Sequence, residues 1–167
     1  MKTLIVYAST YGCAKSISEK MGEELEGEVA LLNLKHQNIP DIQDYDRIII
    51  GSSAKGGRIQ KSIYNFCCDH IDELKQVIIG LFVCCSEINE KDAINNLEAY
   101  PEQLLIVAQS TAVFKGNHNF EMMNFMERLI IKNINRLKYN PVKVDYEAVQ
   151  HFSRRMDRIF NPFLFVV

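Results

Sequence analysis

Residues 6–17, "VYASTYGCAKSI", begin as an apolar strand, turn on small polar residues and continue as a helix. The turn holds Ser9, Thr10, Tyr11, Gly12, Cys13 and Ala14, with no carboxylate and no lysine among them. Backbone N–H groups of a tight polar loop, together with the unpaired N–H groups that open a helix, form a cradle for an anion. Ser9 and Thr10 add hydroxyl donors, and Gly12 lets a ligand approach the backbone closely. A cradle built of dipoles rather than lysines suits a phosphate held permanently. The alternative is an N-cap turn without a ligand. Cys13, at the helix start, is expected to carry a stabilised thiolate.

Outward from this turn, near-continuous apolar runs have strand character: "TLIVYA" (3–8), "RIIIGS" (47–52), "QVIIGLFVCC" (76–85) and "QLLIVAQ" (103–109). "EVALLNL" (28–34) is a weaker fifth, expected at an edge. Runs that do not alternate require cover on both faces, as in a parallel sheet between helices. Helical stripes fill the gaps. One runs through Ala14, Ile17, Ser18, Met21 and Leu25, and the next through Ile59, Ile63, Phe66, Cys67, His70, Ile71 and Leu74. Further helices are expected over 90–99, with Ala93, Ile94 and Leu97 inward, and over 119–138. The last, over 144–160, carries Tyr146, Val149, Phe152, Met156 and Ile159. Alternating strands and helices predict a single α/β domain over 1–167: a three-layer α/β/α sandwich with a five-stranded parallel sheet of order 2-1-3-4-5. Ligands in such folds lie outside the carboxyl ends of the strands, where the turn at 9–14 sits.

Composition excludes several classes. The chain of 167 residues carries a formal net charge of −2 and no basic run, so nothing marks a nucleic-acid partner. No apolar run approaches the ~18 residues of a membrane span, and "MKTLIVYAST" reads as a core strand rather than a signal peptide. The five cysteines form no C-x-x-C and no zinc spacing, which points to a cytoplasmic protein with no metal site. A Walker A loop and G-x-G-x-x-G are both absent. A phosphatase loop needs arginine where Glu19 stands, and a receiver domain needs acids where the strand ends read "YAST" and "IGSS". The apolar tail "NPFLFVV" (161–167) leaves three readings open: core packing, a homodimer contact, or a membrane-surface anchor.

The run Ile5, Val6, Tyr7, Ser9, Gly12 resembles the phosphate loop of the flavodoxin-like FMN-binding family. Ala14 stands where that family carries a threonine whose hydroxyl reaches the phosphate, and Ser18 where it carries alanine; Cys13 and Ser16 are the residues placed to compensate. "YDRIIIGSSAKGGRIQKSI" (45–63) continues the resemblance, which implies that Gly51, Ser52 and Ser53 open the loop edging the flavin ring. Ala54, Lys55, Gly56 and Gly57 would then lie against the ring, and a third loop would begin at Cys84, Cys85 and Ser86. "FKGNHNFEMMNFMERLIIK" (114–132) and "VDYEAVQHFSRRM" (144–156) are similar to the flavodoxin-domain group containing menaquinone-dependent protoporphyrinogen IX dehydrogenase. That resemblance implies FMN as cofactor and a quinone or another small molecule as redox partner. The group's long basic insertion is replaced by the shorter, acidic "SEINEKDAINNLEAYPEQ" (86–103).

With no tryptophan, no aromatic in "SSAKGGRIQKS" and nearly balanced charge, the chain lacks the aromatic sandwich and acidic surface of electron-carrier flavodoxins. One flavin face would be open to a small molecule. Lys55, Arg58 and Lys115 are candidates to stabilise reduced flavin, and His118 is a candidate proton donor. Three functions stay open: an FMN oxidoreductase, an FMN electron carrier to a protein partner, and a flavodoxin-fold interaction protein without tight FMN binding.

Overall fold

The computed structural model describes residues 1–10, 12–35, 38–54, 57–85, 95–115 and 145–158. Strand β1 (Lys2–Ala8) leads into helix α1 (Cys13–Glu24), then β2 (Glu28–Asn33), β3 (Arg47–Ser53) and helix α2 (Lys61–Asp69). A single further turn, α3 (Ile71–Leu74), precedes β4 (Ile78–Cys85), α4 (Glu102–Val107), β5 (Ser110–Lys115) and α5 (Tyr146–Arg158). All pairings are parallel and the order is β2-β1-β3-β4-β5, with β2 at an edge as its weaker apolar run foretells.

The sheet buries both faces because its central strands are apolar at successive positions. Leu4, Val6, Ala8, Ile48 and Ile50 face Ile63, Phe66 and Leu74 of α2 and α3, together with Tyr100 and Leu104. Ile5, Tyr7, Ile49, Phe82 and Cys84 face the other way, onto Ile17 and Met21 of α1 and Val149, Phe152 and Met156 of α5. The alternation along β1 and β3 thus assigns helices to two layers, completing the α/β/α sandwich.

One strand was misplaced by sequence reasoning. "QLLIVAQ" (103–109) is not the fifth strand: Glu102–Val107 is helix α4, and β5 is Ser110–Lys115. A seven-residue apolar run has no decisive period. Here Pro101 starts a helix, since its carbonyl accepts from Leu104 N–H at 2.9 Å and Leu105 N–H at 3.2 Å. Ile106 is 75% exposed, on the solvent side of this short helix. The chain then enters β5 through Gln109, whose N–H donates to Ile79 O at 2.9 Å and whose Oε1 accepts from Ile79 N–H at 3.0 Å.

Smaller corrections follow. The stripe from Ile59 to Leu74 is two helices, broken at His70 (φ −115°, ψ 20°). Tyr146 is 51% exposed and takes no part in the core that Val149, Phe152 and Met156 enter. The expected helix over 119–138, the beginning of that over 90–99, Ile159, His118 and the apolar tail lie outside the described residues.

At the amino ends of the strands, Arg47 is fully buried in β3 and tethers α5 to the sheet. Its Nε donates to Thr3 Oγ1 at 2.9 Å and its Nη1 to Asp157 Oδ1 at 2.8 Å, while Nη2 is buried without a partner among the described residues. This ion pair stands at the far end of the sheet from the polar turn. It is structural.

Candidate functional site

Strand β1 lies between β2 and β3, so the chain leaves it toward one side and returns on the other. In sheets of this kind a ligand lies outside the carboxyl ends of the two strands at such a switch point, here β1 and β3, where Ala8 pairs with Ser52. The turn after β1 forms one wall and the turn after β3 the other.

The first wall is shaped by Gly12, which precedes α1 in the left-handed region at φ 84°. Any other L-residue there is strained by about 1–2 kcal/mol. The first helical bond runs from Ser16 N–H to Gly12 O at 2.9 Å, and no side chain caps the helix. The amides of Cys13, Ala14 and Lys15 therefore precede the helical ladder, at its electropositive end. Ser9 Oγ is buried here and has no hydrogen-bond partner among the described residues. A buried hydroxyl without a partner costs about 1–3 kcal/mol, so its retention asks for a ligand.

Three residues of this wall offer something other than the sequence suggested. The Ala14 side chain is fully buried in the core, which leaves its backbone N–H as the group facing a ligand. Ser16 Oγ donates back to Gly12 O at 3.1 Å and so does not take the role of the missing threonine hydroxyl. Cys13 is buried beside Cys84 in an apolar cluster. The hydrogen bond with Cys13, reinforced by burial, pushes the Cys84 thiol well above its usual range.

The second wall begins inside β3, since Gly51, Ser52 and Ser53 belong to the strand rather than to the loop. Gly51 has a packing role: a Cβ there would fall 1.9 Å from Phe82 Cζ. Ala54 N–H donates to Cys84 O at 2.9 Å, extending the β3–β4 pairing into the loop. Gly57 is left-handed at φ 72°, and a Cβ built on it meets nothing within 4 Å. That backbone borders open space. Cys85 ends β4 buried, opposite Lys115 of β5. Tyr11, Lys55, Gly56 and Ser86 lie outside the described residues.

Sequence reasoning missed the residues that hold the two walls together. The Gln60 side-chain amide donates to Thr10 Oγ1 at 2.7 Å and to Ser53 Oγ at 3.0 Å. Gln60 N–H also donates to Ser52 Oγ at 2.9 Å, and Ser52 Oγ donates on to Ser53 O at 3.0 Å. Asn96, nearly buried, accepts from Gly57 N–H at 3.1 Å. The buried Tyr100 hydroxyl donates to Phe82 O at 2.8 Å and lies 3.2 Å from Ile50 O, bracing β3 against β4 below the crevice. Only position carried a signal for Gln60, which stands just before α2; Asn96 and Tyr100 lie in a stretch that reads as acidic surface. No cluster of three or more metal-ligating side chains occurs among the described residues.

A family model described as a flavodoxin domain matches residues 4–145. A protoporphyrinogen IX dehydrogenase [quinone] of Leishmania major is 23% identical over 168 residues, covering 91% of this chain and 73% of that protein. Among solved structures, the rubredoxin oxygen:oxidoreductase of Desulfovibrio gigas superposes with a TM-score of 0.64 at 14% identity. That match covers 99% of this chain, which spans 37% of the length of the larger protein. The flavodoxin of Streptococcus pneumoniae TIGR4 matches with a TM-score of 0.60 at 13% identity, over 95% of this chain and 99% of that one.

Proposed function

The chain belongs to the flavodoxin-domain family, and from that premise we propose that it is an FMN-dependent, quinone-linked oxidoreductase resembling protoporphyrinogen IX dehydrogenase. In this reading the flavin exchanges electrons with a small-molecule donor and acceptor. The carrying observation is Ser9 Oγ, buried and without a partner among the described residues, in the turn that leads into α1. A hydroxyl and several N–H donors converging at a helix N-terminus fit a phosphate monoester. Bound FMN supplies the two-electron redox chemistry; the chain supplies placement and electrostatics.

Each wall then has a task. Ser9, Thr10 and the amides of Cys13, Ala14 and Lys15 bind the phosphate. Ala54 and Gly57, the latter anchored by Asn96, border the ring in this reading, and the sequence 52–62 brings no aromatic to cover it. An uncovered ring face admits a small molecule such as a quinone, which favours an enzyme. Among the described residues no helix is long and apolar enough to cross a membrane; the cytoplasmic location belongs to this proposal and rests on the unpatterned cysteines.

One observation favours a second reading, an FMN electron carrier serving a protein partner. The left-handed, sterically free Gly57 lets a peptide of the second loop reorient as the ring changes charge. The two are separated by photoreducing the FMN-loaded protein and mixing it with a soluble menaquinone analogue or with a protein acceptor such as cytochrome c. Rapid quinone reduction supports the oxidoreductase. Sluggish quinone reduction beside rapid transfer to cytochrome c would replace it with the carrier.

A further inference from the structure

The hydrogen-bond directions around Gln60 contain information about which hydroxyls remain for a ligand. An amide nitrogen carries two protons and accepts none. Gln60 Nε2 directs its protons at Thr10 Oγ1, 2.7 Å away, and at Ser53 Oγ, 3.0 Å away. Both hydroxyl oxygens are therefore acceptors toward Gln60, and each keeps its own proton for another partner. Ser52 differs: its oxygen accepts from Gln60 N–H and its proton is used on Ser53 O. Ser52 is satisfied within the protein, whereas the Thr10 and Ser53 protons meet no acceptor among the described residues.

We propose that Gln60 is a positioning residue that orients the Thr10 and Ser53 hydroxyls as donors, coupling the phosphate wall of the crevice to the ring wall. Thr10 stands 50 positions and Ser53 seven positions from Gln60 in the chain, so one side chain joins two turns that no backbone bond connects directly. With Thr10 poised to donate, the first wall presents a proton to an anionic oxygen. With Ser53 poised likewise, the second wall presents one to a carbonyl or ring nitrogen. The inference rests on FMN binding between these walls. It assigns a role to the last residue of the turn after β3, immediately before α2.

Replacing Gln60 by glutamate keeps the shape and reverses the hydrogen-bond sense. A carboxylate only accepts, so both hydroxyl protons turn toward it and both donors are lost to the ligand. The test titrates FMN and riboflavin, which lacks the phosphate, into wild type, Gln60→Glu and Gln60→Met, followed by flavin fluorescence. For Gln60→Glu the FMN dissociation constant should rise about ten- to hundredfold, the loss expected for a charge-assisted hydrogen bond. Riboflavin binding should weaken less. Relative to wild type, Gln60→Glu should regain FMN affinity from pH 7 to pH 5, because a protonated carboxyl can donate again. Gln60→Met, which neither donates nor accepts strongly, should lose affinity without that pH dependence. A wild type that binds no FMN overturns the proposed function and this inference with it. Wild-type binding that Gln60→Glu leaves within twofold, or equal losses for FMN and riboflavin without recovery at low pH, overturns the inference alone.

Discussion

Replacing Ser9 by alanine should make the free protein more stable and its FMN complex weaker, an opposition that few substitutions produce. Ser9 Oγ is buried and has no hydrogen-bond partner among the described residues. Removing it relieves a desolvation cost of about 1–3 kcal/mol and leaves the Cβ and its contacts in place. For a domain of this size each kcal/mol moves the melting temperature by about 2–4 °C, so the free protein should melt roughly 2–12 °C higher. In the complex the same oxygen donates to phosphate, a charge-assisted bond with a net contribution of about 1.5–3 kcal/mol. At 1.36 kcal/mol per decade, the FMN dissociation constant should rise by about ten- to 150-fold. Urea unfolding of flavin-free protein measures the first effect, and flavin fluorescence titration the second. Riboflavin serves as the control whose affinity should stay nearly constant. A Ser9→Ala protein less stable than wild type by more than about 1 kcal/mol, with unchanged FMN affinity, would refute the reasoning. Ser9 would then be a structural hydroxyl.

Three further outcomes test the frame that holds the site. Asp157→Asn should cost about 3–5 kcal/mol in urea unfolding, because it leaves the buried Arg47 guanidinium without its counter-charge; the paired change Arg47→Met with Asp157→Leu should recover much of that loss. Gly51→Ala should destabilise by at least about 1–3 kcal/mol through the clash with Phe82, and adding Phe82→Leu should restore part of the melting temperature. Stability should fall on the alkaline side. Burial chiefly raises the Cys67 thiol and the Tyr100 phenol, while the bond with Cys13 and then burial raise Cys84, so all three stay protonated in the fold after the unfolded chain begins to ionise. Their contribution is complete below the unfolded thiol value of about 8.5 and is lost as pH rises toward the folded values, at about 1.4 kcal/mol per pH unit for each ionised group. Denaturation from pH 8 to 10 under reducing conditions measures the slope, which Cys67→Val should reduce by one such increment.

Long apolar runs made most of the architecture legible without coordinates. "TLIVYA" and "RIIIGS" carry too many consecutive apolar residues for a half-exposed strand, so parallel pairing and two covering layers follow from solvation alone. The polar turn after β1 was legible for a similar reason: small residues with a glycine between a strand and an amphipathic helix have few other uses. The resemblance of that turn and of "YDRIIIGSSAKGG" to flavodoxin-like loops then indicated the family. Where the run was short, local pattern failed. Residues 103–109 fit strand and helix equally, and Pro101 with the Gln109–Ile79 pairing decided between them.

Other features depended on neighbours distant in the chain. Ala14 and Cys13 occupy positions that a one-dimensional reading assigns to the ligand, yet the packing of α1 on the sheet turns both side chains into the core. Gln60 meets Thr10 across 50 residues, and Asn96 meets Gly57 across 39. Arg47 reaches Asp157 across 110. Hydrophobic periodicity records which face of an element is buried, because burial acts on each element separately. A hydrogen bond between loops depends on where two turns come to rest after the layers have packed, and nothing local records it. The sequence therefore determined four of the five strands, the order of the sheet and the turn after β1, while only the tertiary structure decided where the fifth strand lies and which hydroxyls are satisfied within the protein.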